Sequence, residues 1–271
     1  MSNIPKHRLR EISLAVQRAY KDAEINLEEL NTGVVPLYDL IRSYPIRVAE
    51  VQDLTPESIG EFLKTETGQE FPISEDENLK LAGYLYLQEY QGEFHGCILV
   101  EKRPSAAPIS RRRFSAAHEL GHYLLHFLPL LEQHQSTDLD EPLILTEGLY
   151  VSKKDKADNN DDETETKSAI SETKAQLTLT NGLQGVLNVL DITQEQMEEE
   201  ADLFAAELLI PEKSCFALAQ RYSGRFGKKR SVLSRRLAPE FLVSNQAMYR
   251  RLGDLQLPEK LTHANAQKLC V

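Results

Sequence analysis

Residues Arg111–Leu128 read RRRFSAAHELGHYLLHFL, a stretch with no Pro and with Gly121 as its single Gly, followed at once by Pro129. A helix over Arg111–Leu128 is expected, ending where the proline removes a backbone donor. Inside it, His118-Glu119-Leu120-Gly121-His122 has the HExxH spacing. Two imidazoles four residues apart leave the same helix face one turn apart, so both reach one metal ion. Glu119 then lies beside the water on that ion as a candidate general base, and zinc is the cation that such a set suits. A chance pair of surface or core histidines is the competing reading, and the rest of the chain has to decide.

A catalytic zinc takes three protein ligands and keeps one position open, so a third ligand must come from elsewhere. His126 continues the same helix two turns beyond His118, about 12 Å along the axis, which is too far for the same ion. A packing role, or support of a ligand, is the expectation for it. The better candidate lies in EEEADLFAAELLIP, where Glu198 and Asp202 are four residues apart. Thr193 and Gln196 form a capping box opening a helix that should run to Leu209 and stop before Pro211. Glu198, Ala201, Asp202, Ala205, Leu208 and Leu209 share one face of it, and two carboxylates on an apolar stripe are costly unless paired or metal-bound. Glu198 as ligand, with Asp202 one turn later bonding the far nitrogen of a ligand histidine, satisfies both. Glu199, Glu200 and Glu207 support the opposing view of an acidic, solvated helix, which fails once HELGH is weighed with it.

The chain has 271 residues, 31 Lys and Arg against 42 Asp and Glu, and a net charge of −11. With 41% hydrophobic residues it has the composition of a folded globular protein, and its acidity disfavours a surface dominated by nucleic acid or anionic membrane. No apolar run reaches membrane-spanning length and the N-terminus lacks a signal-like apolar core, so a cytoplasmic protein is expected. Cys97, Cys215 and Cys270 show no disulfide or zinc spacing. Residues 8–30 carry Leu9, Ile12, Val16, Ala19, Ala23 and Leu27 on an amphipathic stripe. PLYDLIRSY and TPESIGEFLKTETG are expected to be short helices, the second with Thr55 as N-cap and Pro56 in the first helical position. AGYLYLQ and FHGCILVE flank Gln91-Gly92 as an antiparallel hairpin, and no third strand is located. From Ser152 to Lys174, 12 of 23 residues are charged and none is aromatic, the pattern of a mobile insertion. LTLTNGLQGVLNVL after it reads as a small hairpin or a helix.

These residues resemble the ImmA/IrrE family of zinc metallopeptidases. Its pattern pairs an RF-x-x-A-HElgH-x-x-x-H helix with E-x-x-A, then Asn or Asp, then x-F-A-x-x-LL-x-P. Here Arg113-Phe114, Ala117 to His122, His126, Glu198, Ala201-Asp202, Phe204-Ala205, Leu208-Leu209 and Pro211 supply the matches. LAPEFLVSNQAMYRRLGDL, from Leu237 to Leu255, is similar to the helix-turn-helix-like segment that follows the protease core. His118 and Glu198 are 80 residues apart, more than the family's usual spacing, the excess being the charged insertion and its flanks.

The resemblance implies an α+β fold: a compact zincin-like protease core, with a small antiparallel sheet, the HExxH helix and the Glu-bearing helix, and a C-terminal helical, helix-turn-helix-like lobe. The divisions expected are a core over residues 1–212 with an insertion at about 133–190, a lobe over 213–258 and a tail over 259–271. The implied activity is limited proteolysis of a protein substrate, a transcriptional repressor, with His118, His122 and Glu198 holding Zn2+, Glu119 activating the zinc-bound water and Asp202 supporting a ligand. Nine Lys or Arg against one acid between Arg221 and Arg251 leave the rest of the chain near −19. Within this segment Lys228, Lys229, Arg230, Arg235 and Arg236 are candidates for docking a protein substrate or DNA, against the simpler reading of a solvated basic lobe. The alternative function is a DNA-associated regulator or toxin–antitoxin component whose zinc site is structural or vestigial. Glu119 argues against it, since a structural site has no use for a general base.

Overall fold

The first helix, α1 (Lys6–Asp22), buries Ile12, Val16, Ala19 and Tyr20 along one stripe. It ends earlier than its apolar spacing suggests, because Glu24 takes a left-handed φ of 54° and turns the chain. The computed structural model describes residues 4–27, 33–68, 80–90, 93–102, 108–134, 144–150, 192–257 and 260–261. Cys270, the run 152–174 and LTLTNGLQGVLNVL lie outside them.

After α2 (Leu37–Ile41), strand β1 (Ile46–Val51) leads to α3 (Pro56–Thr67). Thr55 caps α3, accepting from the Ser58 amide while the Ser58 side chain returns to the Thr55 amide, and Gly68 closes the helix at φ 72°. Strands β2 (Leu81–Tyr90) and β3 (Glu93–Glu101) form the expected hairpin, with Gly83 opposite Val100 and Tyr90 opposite Glu93. Two further strands join it. β1 runs parallel to β3, from Ile46 opposite Gly96 to Val51 opposite Glu101, and β4 (Ile144–Tyr150) runs antiparallel to β2 on its other side. The order is β1-β3-β2-β4. The sheet is therefore mixed rather than antiparallel, because α3 and β2 carry the chain back so that β3 runs in the direction of β1. β4 falls within the segment expected to be an insertion, where its backbone extends the sheet.

Alternate side chains of the hairpin take opposite faces. Leu85, Leu87, Ile98 and Val100 enter the main core, whereas Tyr84, Tyr86, Cys97 and Leu99 pack with Leu54, Ile59 and Leu63 around α3. The main core is covered by α4 (Ile109–His122) and α6 (Gln194–Leu209), which pack on each other. Between them in sequence lies a π-helical turn, Tyr123–Phe127, and α5 (Leu128–His134). Pro129 does not stop the helix, contrary to expectation. The wider π turn changes the hydrogen-bond ladder just before it, and Pro129 stands at the second position of α5, where neither its missing N–H nor its ring disturbs a regular α turn.

Helices α7 (Glu212–Phe226), α8 (Arg230–Phe241) and α9 (Asn245–Asp254) follow. Leu242 ends α8 in a left-handed conformation at φ 52°, and Ser244 caps α9 by accepting from the Ala247 amide at 3.0 Å. Cys215, Ala219, Leu233, Leu237, Phe241, Met248 and Leu252 are continuous with the main core. Cys97 and Cys215 are buried and free, and burial pushes their thiols up to about 11 and about 12. Among the described residues no helix is long and apolar enough to cross a membrane.

Candidate metal centre

Helix α4 delivers His118, Glu119 and His122, all fully buried. The two imidazole Nε2 atoms lie 2.9 Å apart, one turn from each other on the helix. Helix α6 brings Glu198 against them, with Oε2 3.3 Å from His118 Nε2 and Oε1 3.4 Å from His122 Nε2. One ligand atom from each of the three residues lies within 4.8 Å of the others, so this group can hold a metal ion. Its closeness depends on Gly121. A Cβ there would meet Phe204 at 3.1 Å and the Ala201 backbone at 3.2 Å, so the glycine sets how near α4 and α6 approach.

Each histidine has its far nitrogen engaged. His118 Nδ1 donates to Asp202 Oδ1 at 2.9 Å, an exposed carboxylate at the outer edge of the cluster. His122 Nδ1 lies 3.2 Å from Nδ1 of His126, whose Nε2 lies 3.2 Å from Glu200 Oε2. Glu200 also accepts from Arg8 Nε of α1 at 2.9 Å and from Gln196 Nε2 at 3.0 Å, and it forms an ion pair through Arg8 Nη2. Gln196 therefore spends its side chain on Glu200. Of the expected capping box the Thr193 half is present, Thr193 accepting from the Gln196 amide at 3.2 Å.

Burial penalises every charge here, and partners decide which charges persist. For His118 the penalty is outweighed by Asp202 and Glu198, which hold its value well above that of an ordinary histidine. His122 falls below it, burial prevailing over the attraction of Glu198. His126 is pushed down to about 4 by burial. Glu198 is half-buried and feels the same penalty, but the two histidines keep it ionised, well below the usual carboxylate range. Glu200 is drawn down to about 2 by His126, Arg8 and Gln196 against the penalty of burial.

The donor set suits a divalent cation of zinc character: two imidazole nitrogens and one carboxylate, with Asp202 accepting from His118 on the side away from the cluster. Glu198 Oε1 adds a specific indication, since it is buried without a hydrogen-bond donor among the described residues. A cation there would replace the proton that the carboxylates favour on His118. Glu119 points toward β2, where a Cβ at Gly83 would come within 2.6 Å of Glu119 Oε1. The strand leaves out a side chain where the carboxylate needs the space.

Of the residues expected to dock a partner, Lys229, Arg235 and Arg236 are exposed. Arg236 stands over the Phe226 ring at 4.5 Å. Lys228 donates to the Leu261 carbonyl at 3.2 Å. Arg230 covers the Tyr249 ring at 4.0 Å and donates to the Tyr249 and Arg250 carbonyls. Much of this basic character thus serves helix packing. Sequence reasoning passed over Gly83, Glu200 and Arg8. A glycine within a strand is a signal for close backbone approach and could have found the first. Glu200 was hidden in an acidic run, and Arg8 is 192 residues from its partner.

Residues 177–253 match the model of peptidase family M78, described as the IrrE N-terminal-like domain. Over this segment the chain is similar to that domain. A search of curated proteins found no match. The IrrE-like segment contains Glu198, Asp202 and Glu200 together with α7 and α8, whereas His118, Glu119 and His122 precede it. The upstream part of the site therefore rests on its own geometry against the IrrE-like helix α6.

Proposed function

We propose that this chain is a metal-dependent endopeptidase that cuts a protein substrate at a restricted site. The observation that carries the reading is the convergence of buried His118 and His122 with half-buried Glu198 in one cluster, with Glu119 on the same helix and Asp202 bonded to His118. The peptidase family of the segment bearing Glu198 supports the same reaction class. His118, His122 and Glu198 would hold the cation, for which Zn2+ is the reading that the donor set favours. When bound, such a cation supplies Lewis acidity, polarising the scissile carbonyl and making water a nucleophile at neutral pH.

The chain's own groups account for the protons. Glu119 takes a proton from the attacking water as the new C–O bond forms, and returns it to the amide nitrogen as the C–N bond breaks. Asp202 fixes the orientation and tautomer of His118, leaving its Nε2 free to face the cluster. Gly83 leaves room for the Glu119 carboxylate. The substrate suggested by the family resemblance is a transcriptional repressor, and the exposed arginines Arg235 and Arg236 are the groups proposed to meet an acidic surface on it.

The test is a search for new peptide termini. A cellular protein extract is incubated with the zinc-loaded parent and with its Glu119→Gln variant, and N-termini are compared by mass spectrometry. The expected result is a small set of termini produced by the parent and absent with the variant. Identical termini from both, with zinc bound to both, would make the site structural and support the regulator reading instead.

A further inference from the structure

His118 has an acidic partner, Asp202, on its far nitrogen, whereas His122 meets another histidine there. We propose that His126, Glu200 and Arg8 form a positioning relay that holds His122 in the tautomer a metal ligand requires. The proposal deepens the metal-centre reading and rests on it.

The polarity of the relay follows from what each group can donate. Glu200 is fully buried and accepts from both Arg8 Nε and Gln196 Nε2, with the Arg8 guanidinium also supplying its counter-charge. A carboxylate in that position accepts from its neighbours, so the contact at 3.2 Å requires the proton on Nε2 of His126. A neutral His126 with Nε2–H presents a lone pair at Nδ1. The 3.2 Å contact between the two Nδ1 atoms is then a hydrogen bond donated by His122. His122 thereby keeps a lone pair on Nε2, the atom that faces His118 and Glu198. Reversing the chain would put a proton on that atom and close it to a cation.

Arg8 gives the relay its reach. It belongs to α1, and α1 is anchored on α6 beyond this pair, by Ser13 Oγ donating to Glu207 at 2.6 Å and by the Tyr20 hydroxyl donating to the Leu208 carbonyl. The first helix of the chain thus supports a ligand on α4 without touching the cluster. Without Arg8, a buried carboxylate would lose its cation, and the bond that orients His126 would lose its fixed acceptor.

Two measurements on the full chain test this. Nitrogen-15 spectra of the histidine rings in the metal-free protein should show His122 protonated at Nδ1 and His126 at Nε2. A proton on Nδ1 of His126 overturns the relay, and this observation needs no variant. Competition titration with zinc ion alone should show His126→Ala and Glu200→Ala binding about 10- to 100-fold more weakly than the parent, with helical circular dichroism retained. Arg8→Ala should weaken binding as well, and Arg8→Lys should recover part of the loss. Parent-like affinity in both His126→Ala and Glu200→Ala overturns the relay and leaves the metal centre standing. A parent that binds no zinc overturns the metal centre, and the tautomer spectra still decide the relay.

Discussion

Glu119 and Gly83 show how one missing side chain shapes a site. Gly83→Ala sets a methyl carbon within 2.6 Å of Glu119 Oε1, in a strand that is hydrogen-bonded on both sides and so has little freedom to withdraw. The carboxylate has to move. The expected outcome is zinc affinity near that of the parent with cleavage reduced at least about tenfold, a size in keeping with general-base contributions. Calorimetric zinc titration together with the terminus assay checks it, and unchanged cleavage would remove Glu119 from the proposed role or Gly83 from its support. At this scale HELGH and the Glu198–Asp202 pair were legible because metal chemistry demands particular residue types at helical spacing. Glu200 was not, since its neighbours Glu199 and Glu198 make it look like one more solvated acid. What buries it is Arg8 and His126, partners that no local window contains.

Helices α1 and α6 and the π turn after α4 are joined by the His126–Glu200–Arg8 contacts, and this joint should be visible in acid. His126 lies at about 4 in the folded chain against 6.5 for an ordinary histidine, so the unfolded chain binds its proton first and stability falls as pH drops from 6.5 through 4. Glu200 lies at about 2 against 4.5, so its contribution is complete above 4.5 and is lost as pH falls toward 2. His118 acts in the opposite sense, its contribution present below 6.5 and lost as pH rises through its raised folded value. Urea unfolding followed against pH with chelator present should therefore show the acid limb flattened between 6.5 and 4 in His126→Asn, and between 4.5 and 2 in Glu200→Gln. An unaltered acid limb in both would mean that the joint contributes nothing to stability. Elements with local signals, such as the Thr55–Pro56 helix start and the β2–β3 hairpin, were readable. β1 and β4 were not, because each is a strand by virtue of a partner far along the chain. The passage through Pro129 depends on a π turn that no residue in YLLHF announces.

Across the whole molecule the separation of charge is plain in the sequence, an acidic body against a basic segment from Arg221 to Arg251, but its use is only partly a surface property. Arg230→Ala should cost about 1 kcal/mol, since it removes a guanidinium stacked on Tyr249 and bonded to two helix carbonyls. Lys229→Ala, at an exposed position, should stay within about 0.5 kcal/mol of the parent. Equal effects, read from urea midpoints, would show that Arg230 belongs to the free surface with its neighbours. The α+β architecture was expected from the family resemblance, whereas the mixed sheet required knowing which strands meet. The central claim is that α4 and α6 build one metal site from His118, His122 and Glu198. Zinc titration of the parent and of single variants tests it most directly. About one equivalent should bind to the parent and to Glu119→Gln, with binding lost in His118→Ala, His122→Ala and Glu198→Ala. Parent-like zinc affinity in Glu198→Ala, or a parent that binds none, would contradict the account.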